Sequence, residues 1–248
     1  MTKTIMLDPG HGGRDPGAVN GTRHESADNL RLGLAIRDRL RSAGQDVAMT
    51  RDTDVFVGIN ERSALANRKH ADIFVSLHRN AFSDQGANGL ETIIGPRATA
   101  REKKWADIVQ AEMLAVAPMR DRGVKPLNFG VLRDTTMPAM MPEVGFLTNT
   151  RDNQLFDDNF EAYADAIARG ILKCLGVVPN VPAPGSSPPP APVPQPPPSQ
   201  TPPVATPTPQ PEPPPRHGIN REGGEFLRKR LIDIGRRLAG RIKGGRAT

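Results

Sequence analysis

Cysteine is almost missing: Cys174 is the only one in 248 residues, which excludes an intramolecular disulfide. It falls on an apolar helical face, where burial as a small hydrophobe is expected rather than catalysis. Long apolar runs are missing as well. No stretch reaches the roughly 18 residues that a membrane-spanning helix needs. The N-terminal MTKTIMLDPG carries too short an apolar run for a signal peptide and leads straight into a strand pattern. Synthesis in the cytoplasm and initial retention there are therefore expected. No internal repeat is visible.

What is abundant is proline, and it is concentrated. Of 26 prolines, 19 lie between Pro179 and Pro215, a stretch with no aromatic residue and a single charge, Glu212. Such a segment cannot bury enough apolar area to offset its ordering entropy, so it reads as an extended linker. Charge divides at the same place. Residues 1–178 hold 23 Lys/Arg and 23 Asp/Glu, whereas residues 216–248 hold ten against three, so the net charge of +6 belongs to the tail. A neutral globular part argues against a nucleic-acid groove. The expected layout is a globular domain (1–178), a linker (179–215) and a basic tail (216–248).

Within the first segment, apolar runs and helical periodicities alternate. Strands are expected at 3–8, 46–50, 72–78, 89–94, 130–133 and 139–144, with helices at 25–42, 59–70, 99–117 and 159–175. Strands alternating with helices predict an α/β layered domain whose sheet of about six strands is mostly parallel. In the tail, Leu227, Leu231, Ile234, Leu238 and Ile242 fall within about 80° of one another on a helical wheel. Arg228, Lys229, Arg230, Arg236, Arg237, Arg241 and Lys243 occupy the rest of that amphipathic helix, a pattern suited to anionic membrane lipid or wall polymers.

Four short segments carry the chemistry: LDPGHGG (7–13), HESADNL (24–30), SLHRNA (76–81) and PEVGFLTN (142–149). Each lies at a strand end or a helix start, where α/β sheets gather distant residues into one crevice. Two imidazoles and a carboxylate make the ligand set of a catalytic zinc, and a second carboxylate serves as proton acceptor. His11 sits among glycines that leave its ring uncrowded. The competing phosphate-loop reading is weak, because no GK[ST] follows and no basic side chain sits where a phosphate lysine would be. Glu25 and His24 compete for one ligand position, since adjacent residues at a helix start point in different directions, and Glu25 at that start could instead serve the macrodipole. His78 ends the buried run IFVSL. Glu143 lies within an apolar strand, where an acid is costly unless paired or used.

Taken in order, these segments resemble the zinc-dependent N-acetylmuramoyl-L-alanine amidases of the amidase-3 type. The likeness covers about residues 3–175, including TRDTD (50–54), INERSALAN (59–67), DRGVK (121–125) and FGVLRDTTMPAMMPEVGFLTN (129–149). It implies one zinc bound by His11, Glu25 and His78, with Glu143 as the base, and it selects Glu25 over His24 through Asn29 and Leu30. Asn80, in the SxHxNA segment, is the candidate substrate contact. The implied substrate is bacterial peptidoglycan, cut between the muramic lactyl group and L-alanine. A phage endolysin is the expected setting, with a bacterial autolysin as the alternative. A membrane-active cationic tail on an inactive domain is the alternative of another class. Pro142 removes one ladder hydrogen bond, which predicts a bulge or a sheet edge beside Glu143.

Overall fold

The computed structural model describes residues 1–178, so the linker and the basic tail, with all seven of its Arg and Lys candidates, lie outside the described residues. The chain runs through β1 (Thr4–Pro9), β2 (Val19–Asn20), β3 (Arg23–His24), α1 (Glu25–Ser42), β4 (Asp46–Met49) and α2 (Ile59–Lys69). It continues through β5 (Ile73–Asn80), β6 (Leu90–Ile94), α3 (Ala100–Leu114), β7 (Asp121–Pro126), α4 (Gly130–Arg133), β8 (Ala139–Phe146), α5 (Thr150–Asp158) and α6 (Phe160–Cys174).

Six strands form one sheet in the order β4-β1-β5-β8-β6-β7, and β2 and β3 make a separate two-stranded pair. Strands β4, β1, β5 and β8 run parallel, while β6 is antiparallel to β8 and parallel to β7. The α/β, mostly parallel architecture is as expected. Because side chains alternate across a strand, the inner strands of the sheet feed two cores. Ile5, Leu7, Ile73, Val75, Leu77, Met140 and Val144 join helices α1, α3 and α6 on one face. Met6, Phe74, Ile93, Ala139 and Met141 meet Ala66 of α2 and Val131 and Leu132 of α4 on the other.

One expected strand is wrong. Residues 130–133 are a helical turn, α4, because Val131 and Leu132 must both reach the second core, and a strand would send them to opposite faces. The sixth strand is instead β7, DRGVKP, whose residues are half-buried or exposed, as befits an edge. Pro142 is not at an edge: β8 lies between β5 and β6, and the irregularity comes just beyond, in the register shift between His78 and Asn80. Gly145 serves that bend with φ 76°, a left-handed conformation that favours glycine.

Candidate metal centre

Alternation places the site. In β5, Phe74 faces the second core, so Ser76 and His78 follow on that face towards the strand's C-terminal end. Glu143 is the register partner of His78 in β8 and of Glu91 in β6. Three neighbouring strands therefore present His78, Glu143 and Glu91 side by side. The loop after β1 brings His11, and the first residue of α1 is Glu25.

His11, Glu25 and His78 converge, with ligand atoms within 4.8 Å of one another. His11 Nε2 lies 3.2 Å from Glu25 Oε2, and His78 Nδ1 lies 2.8 Å from Glu25 Oε1. The two imidazoles meet edge to face, 5.0 Å between centroids. His24 is exposed and stands outside this group, so the contest within HESADNL goes to Glu25.

Each ligand is held from behind. Glu25 accepts from the Ala18 amide at 2.9 Å, the Asn29 carboxamide at 3.2 Å and the Arg79 amide at 3.3 Å. Asn29, one helical turn after Glu25, thus has a physical reason for its spacing. His11 Nδ1 pairs with Asp15 Oδ2 at 2.9 Å, the carboxylate–histidine arrangement that orients metal-binding imidazoles. His11 itself adopts φ 62°, a strained conformation worth about 1 kcal/mol or more for a side chain that is not glycine. The glycines around it leave no room for a Cβ: one on Gly10 would come within 2.2 Å of the His78 ring, and one on Gly17 within 2.6 Å of the His11 ring.

Electrostatics agree with a cation site. Burial disfavours charge on Glu25, but its hydrogen bonds to His11 and His78 outweigh that and hold the carboxyl well below the usual range. Burial likewise lowers His11, yet Glu25 and Asp15 lift it to about 9. Glu143 goes the other way. Burial, with Glu25 and Glu91 nearby, pushes its carboxyl well above the ordinary value. Its Oε2 is buried without a hydrogen-bond partner, a rare condition that points to a group acting on something besides protein.

Glu91 is compensated differently. Its Oε2 accepts from Arg122 Nε at 2.6 Å and Lys125 Nζ at 2.5 Å, and its Oε1 from Asn80 Nδ2 at 2.9 Å. The Asn80 carboxamide oxygen is taken by the Ala81 amide. Asn80 therefore spends its side chain on the protein rather than presenting it freely. Asp15 and Glu91 escaped the sequence reading. The signal for Asp15 was present, an acid four residues past His11 in the same glycine-rich loop.

Comparison with known proteins bears on the same residues. The model of the N-acetylmuramoyl-L-alanine amidase family matches residues 5–173. The chain belongs to this family. His11, Glu25 and His78 are its zinc-binding triad, and their two nitrogens and one carboxylate fit zinc by donor chemistry. The chain is 40% identical over 168 residues to the N-acetylmuramoyl-L-alanine amidase CwlM of Bacillus licheniformis, covering 67% of this chain and 64% of that protein. It is 36% identical over 169 residues to the sporulation-specific N-acetylmuramoyl-L-alanine amidase of Bacillus subtilis, with the same coverage. It thus spans about two thirds of the length of these relatives. Among solved structures, it is similar to an N-acetylmuramoyl-L-alanine amidase from Clostridium difficile 630, with TM-score 0.68 and 34% identity over 71% of this chain and 97% of that one. The catalytic domain of CwlV from Paenibacillus polymyxa gives TM-score 0.67 and 34% identity, over 71% of this chain and 99% of that one. Among the described residues no helix is long and apolar enough to cross a membrane.

Proposed function

We propose that the protein hydrolyses the amide between the lactyl group of N-acetylmuramic acid and the L-alanine of the peptidoglycan stem peptide. The observation that carries this is the juxtaposition of a His–Glu–His zinc triad with a buried acid, Glu143, whose Oε2 has no protein partner. Family membership supplies the substrate class.

Zinc, when bound, supplies a Lewis acid that makes water more acidic and polarises the amide carbonyl. Glu143 is the general base: it takes the proton of the attacking water and delivers it to the leaving amine of L-alanine. Asp15 keeps the His11 ring oriented, and Glu91 holds Asn80 at the rim next to Glu143. Asn80 thus contributes through Glu91 to the shape of the substrate wall. The basic tail is proposed to localise the enzyme on anionic wall polymer or lipid, with the proline-rich segment as spacer, raising the effective concentration at the wall.

The setting is wall remodelling or lysis of the producing bacterium, favoured by relatives that are named as wall amidases of bacteria, one of them sporulation-specific. A phage endolysin is the second reading, resting on the cationic amphipathic pattern of residues 220–243. Expression in step with phage late genes would select the endolysin; expression in step with sporulation or wall turnover would select the autolysin. The cleavage itself is tested by mass spectrometry of digested peptidoglycan. New free L-alanine amines on released stem peptides, beside intact glycan strands, are expected. Cut glycan or a cut within the stem peptide would overturn the assignment.

A further inference from the structure

Two arginines from segments that the catalytic assignment leaves unused, TRDTD and INERSALAN, are buried beside the metal loop. Arg51 is 3% exposed and Arg62 is 5% exposed. A buried guanidinium usually meets carboxylates, but every hydrogen bond of Arg51 goes to a backbone carbonyl. Nε donates to Pro9 at 2.9 Å, Nη1 to Thr53 at 3.1 Å, and Nη2 to Gly10 at 2.9 Å and Ser26 at 2.7 Å. Arg62 Nη1 donates to Pro9 O at 2.8 Å and Asp8 Oδ1 at 2.7 Å, and its Nη2 to His11 O at 2.7 Å. The carbonyls of three successive residues, Pro9, Gly10 and His11, are thereby turned inward.

This pattern joins the ligand-bearing segments. Arg51 links the loop that carries His11 to Ser26, the residue after Glu25. Asp8, held by Arg62, also accepts from Ser76 at 2.7 Å, two residues before His78. Charge alone argues against such a placement. Arg62 is paired with Asp8, but Arg51 has no carboxylate within hydrogen-bond reach among the described residues, and a cation next to a dication site opposes metal binding, so the benefit it brings there must be geometric.

We propose that Arg51 and Arg62 are positioning residues of the metal centre. They fix the left-handed turn at His11 and the spacing of the three ligands by clamping backbone carbonyls. The proposal concerns zinc binding and does not depend on which bond the enzyme cuts.

The opposing effects of charge and geometry give the test a sign. In the full-length protein, zinc affinity is measured by competition with a chromogenic chelator for the parent, Arg51→Gln and Arg62→Gln. Loss of a residue that orients metal ligands costs about 10–100-fold in affinity, and that weakening is expected here. Unchanged or tighter zinc binding would overturn the proposal. Arg51→Lys keeps the charge and folds more readily, but one ammonium cannot span four carbonyls, so it too should bind zinc at least tenfold more weakly. Affinity within about twofold of the parent in Arg51→Lys would equally refute the clamp. Thr99→Ala, which removes the capping box of α3 far from the site, separates positioning from lost stability. It should lower the melting temperature and leave zinc affinity alone; if it weakens zinc as much as the arginine variants, the proposal falls.

Discussion

Exchanging Glu143 for glutamine isolates proton transfer from everything else the residue does. The side chains are nearly isosteric, so the packing on that face of β8, which Glu143 shares with Met141, is preserved. Oε2 has no hydrogen-bond partner, and its replacement therefore strips no bond from a neighbour. The carboxyl also faces two other acids, Glu25 and Glu91, so a neutral amide removes repulsion from the metal-free protein. Glu143→Gln should consequently melt no lower than the parent when both are free of metal. Catalysis should respond very differently. A positioned general base is worth about 10²–10⁴-fold, which is roughly 3–5 kcal/mol of barrier at 1.36 kcal/mol per decade. Release of dye from labelled peptidoglycan, measured alongside zinc content by elemental analysis, reads both effects. One zinc per chain with hydrolysis down by at least about 100-fold is the expected result. Activity within about tenfold of the parent, with zinc bound, would refute the assignment of Glu143 as base.

Four further outcomes are expected, the first three from the same geometry. His11 is raised to about 9 in the metal-free site, so below that pH zinc must displace a proton. Apparent zinc affinity should climb by up to about tenfold per pH unit towards 9 and level off above it. The raised His11 also stabilises the metal-free fold below its unfolded value, a contribution that disappears as pH rises through 9; melting curves from pH 6 to 10 would detect it. Gly10→Ala places a Cβ 2.2 Å from His78 Cε1, so the ligand must move. Such overpacking costs about 1–3 kcal/mol, and zinc should be lost before the fold, as seen by elemental analysis beside circular dichroism. Truncation after Val178 should leave hydrolysis of purified peptidoglycan unchanged and reduce lysis of whole cells; equal loss in both assays would contradict a localising tail.

The parts of the domain that the sequence made legible are those where one physical demand dominates. Strands β1, β5 and β8 are runs of buried apolar residues, and α1 has helical periodicity with a stop at Gly44. The hairpin of β2 and β3 is too short for any periodicity, and β7 is built from Asp, Arg, Gly and Lys that rarely favour strands. Helix α5 offers only Leu155 and Phe156 as apolar anchors, although Asn149 caps it by accepting from the Asp152 amide. In the site, His11, His78 and Glu143 stood out because strand ends and apolar surroundings make such residues conspicuous. Glu25 did not, since an acid at a helix start has an ordinary electrostatic role. The buried arginines were invisible for a deeper reason. Arg51 and Arg62 satisfy themselves mostly on backbone carbonyls, which every sequence supplies equally.

The single antiparallel pairing in the sheet sets two acids opposite each other beside the metal ligands. Because β6 runs against β8, its first residues enter at the edge where β8 presents Glu143, and Glu91 lands directly opposite. Like charges opposite each other destabilise a sheet, and two responses are visible. Glu91 is neutralised by Lys125 and Arg122 from β7, the next strand out, and its carboxyl is correspondingly lowered once burial is outweighed. Glu143, one strand further in, lies beyond that cationic edge, and burial first, then Glu25 and Glu91, raises its carboxyl instead. A dication held by His11, Glu25 and His78 supplies the missing opposite charge next to it, and opposite charge favours the carboxylate. The ligand set and the proposed base are therefore coupled by electrostatics as well as by position: an ion bound by the triad would favour an ionised Glu143 at this place in the sheet.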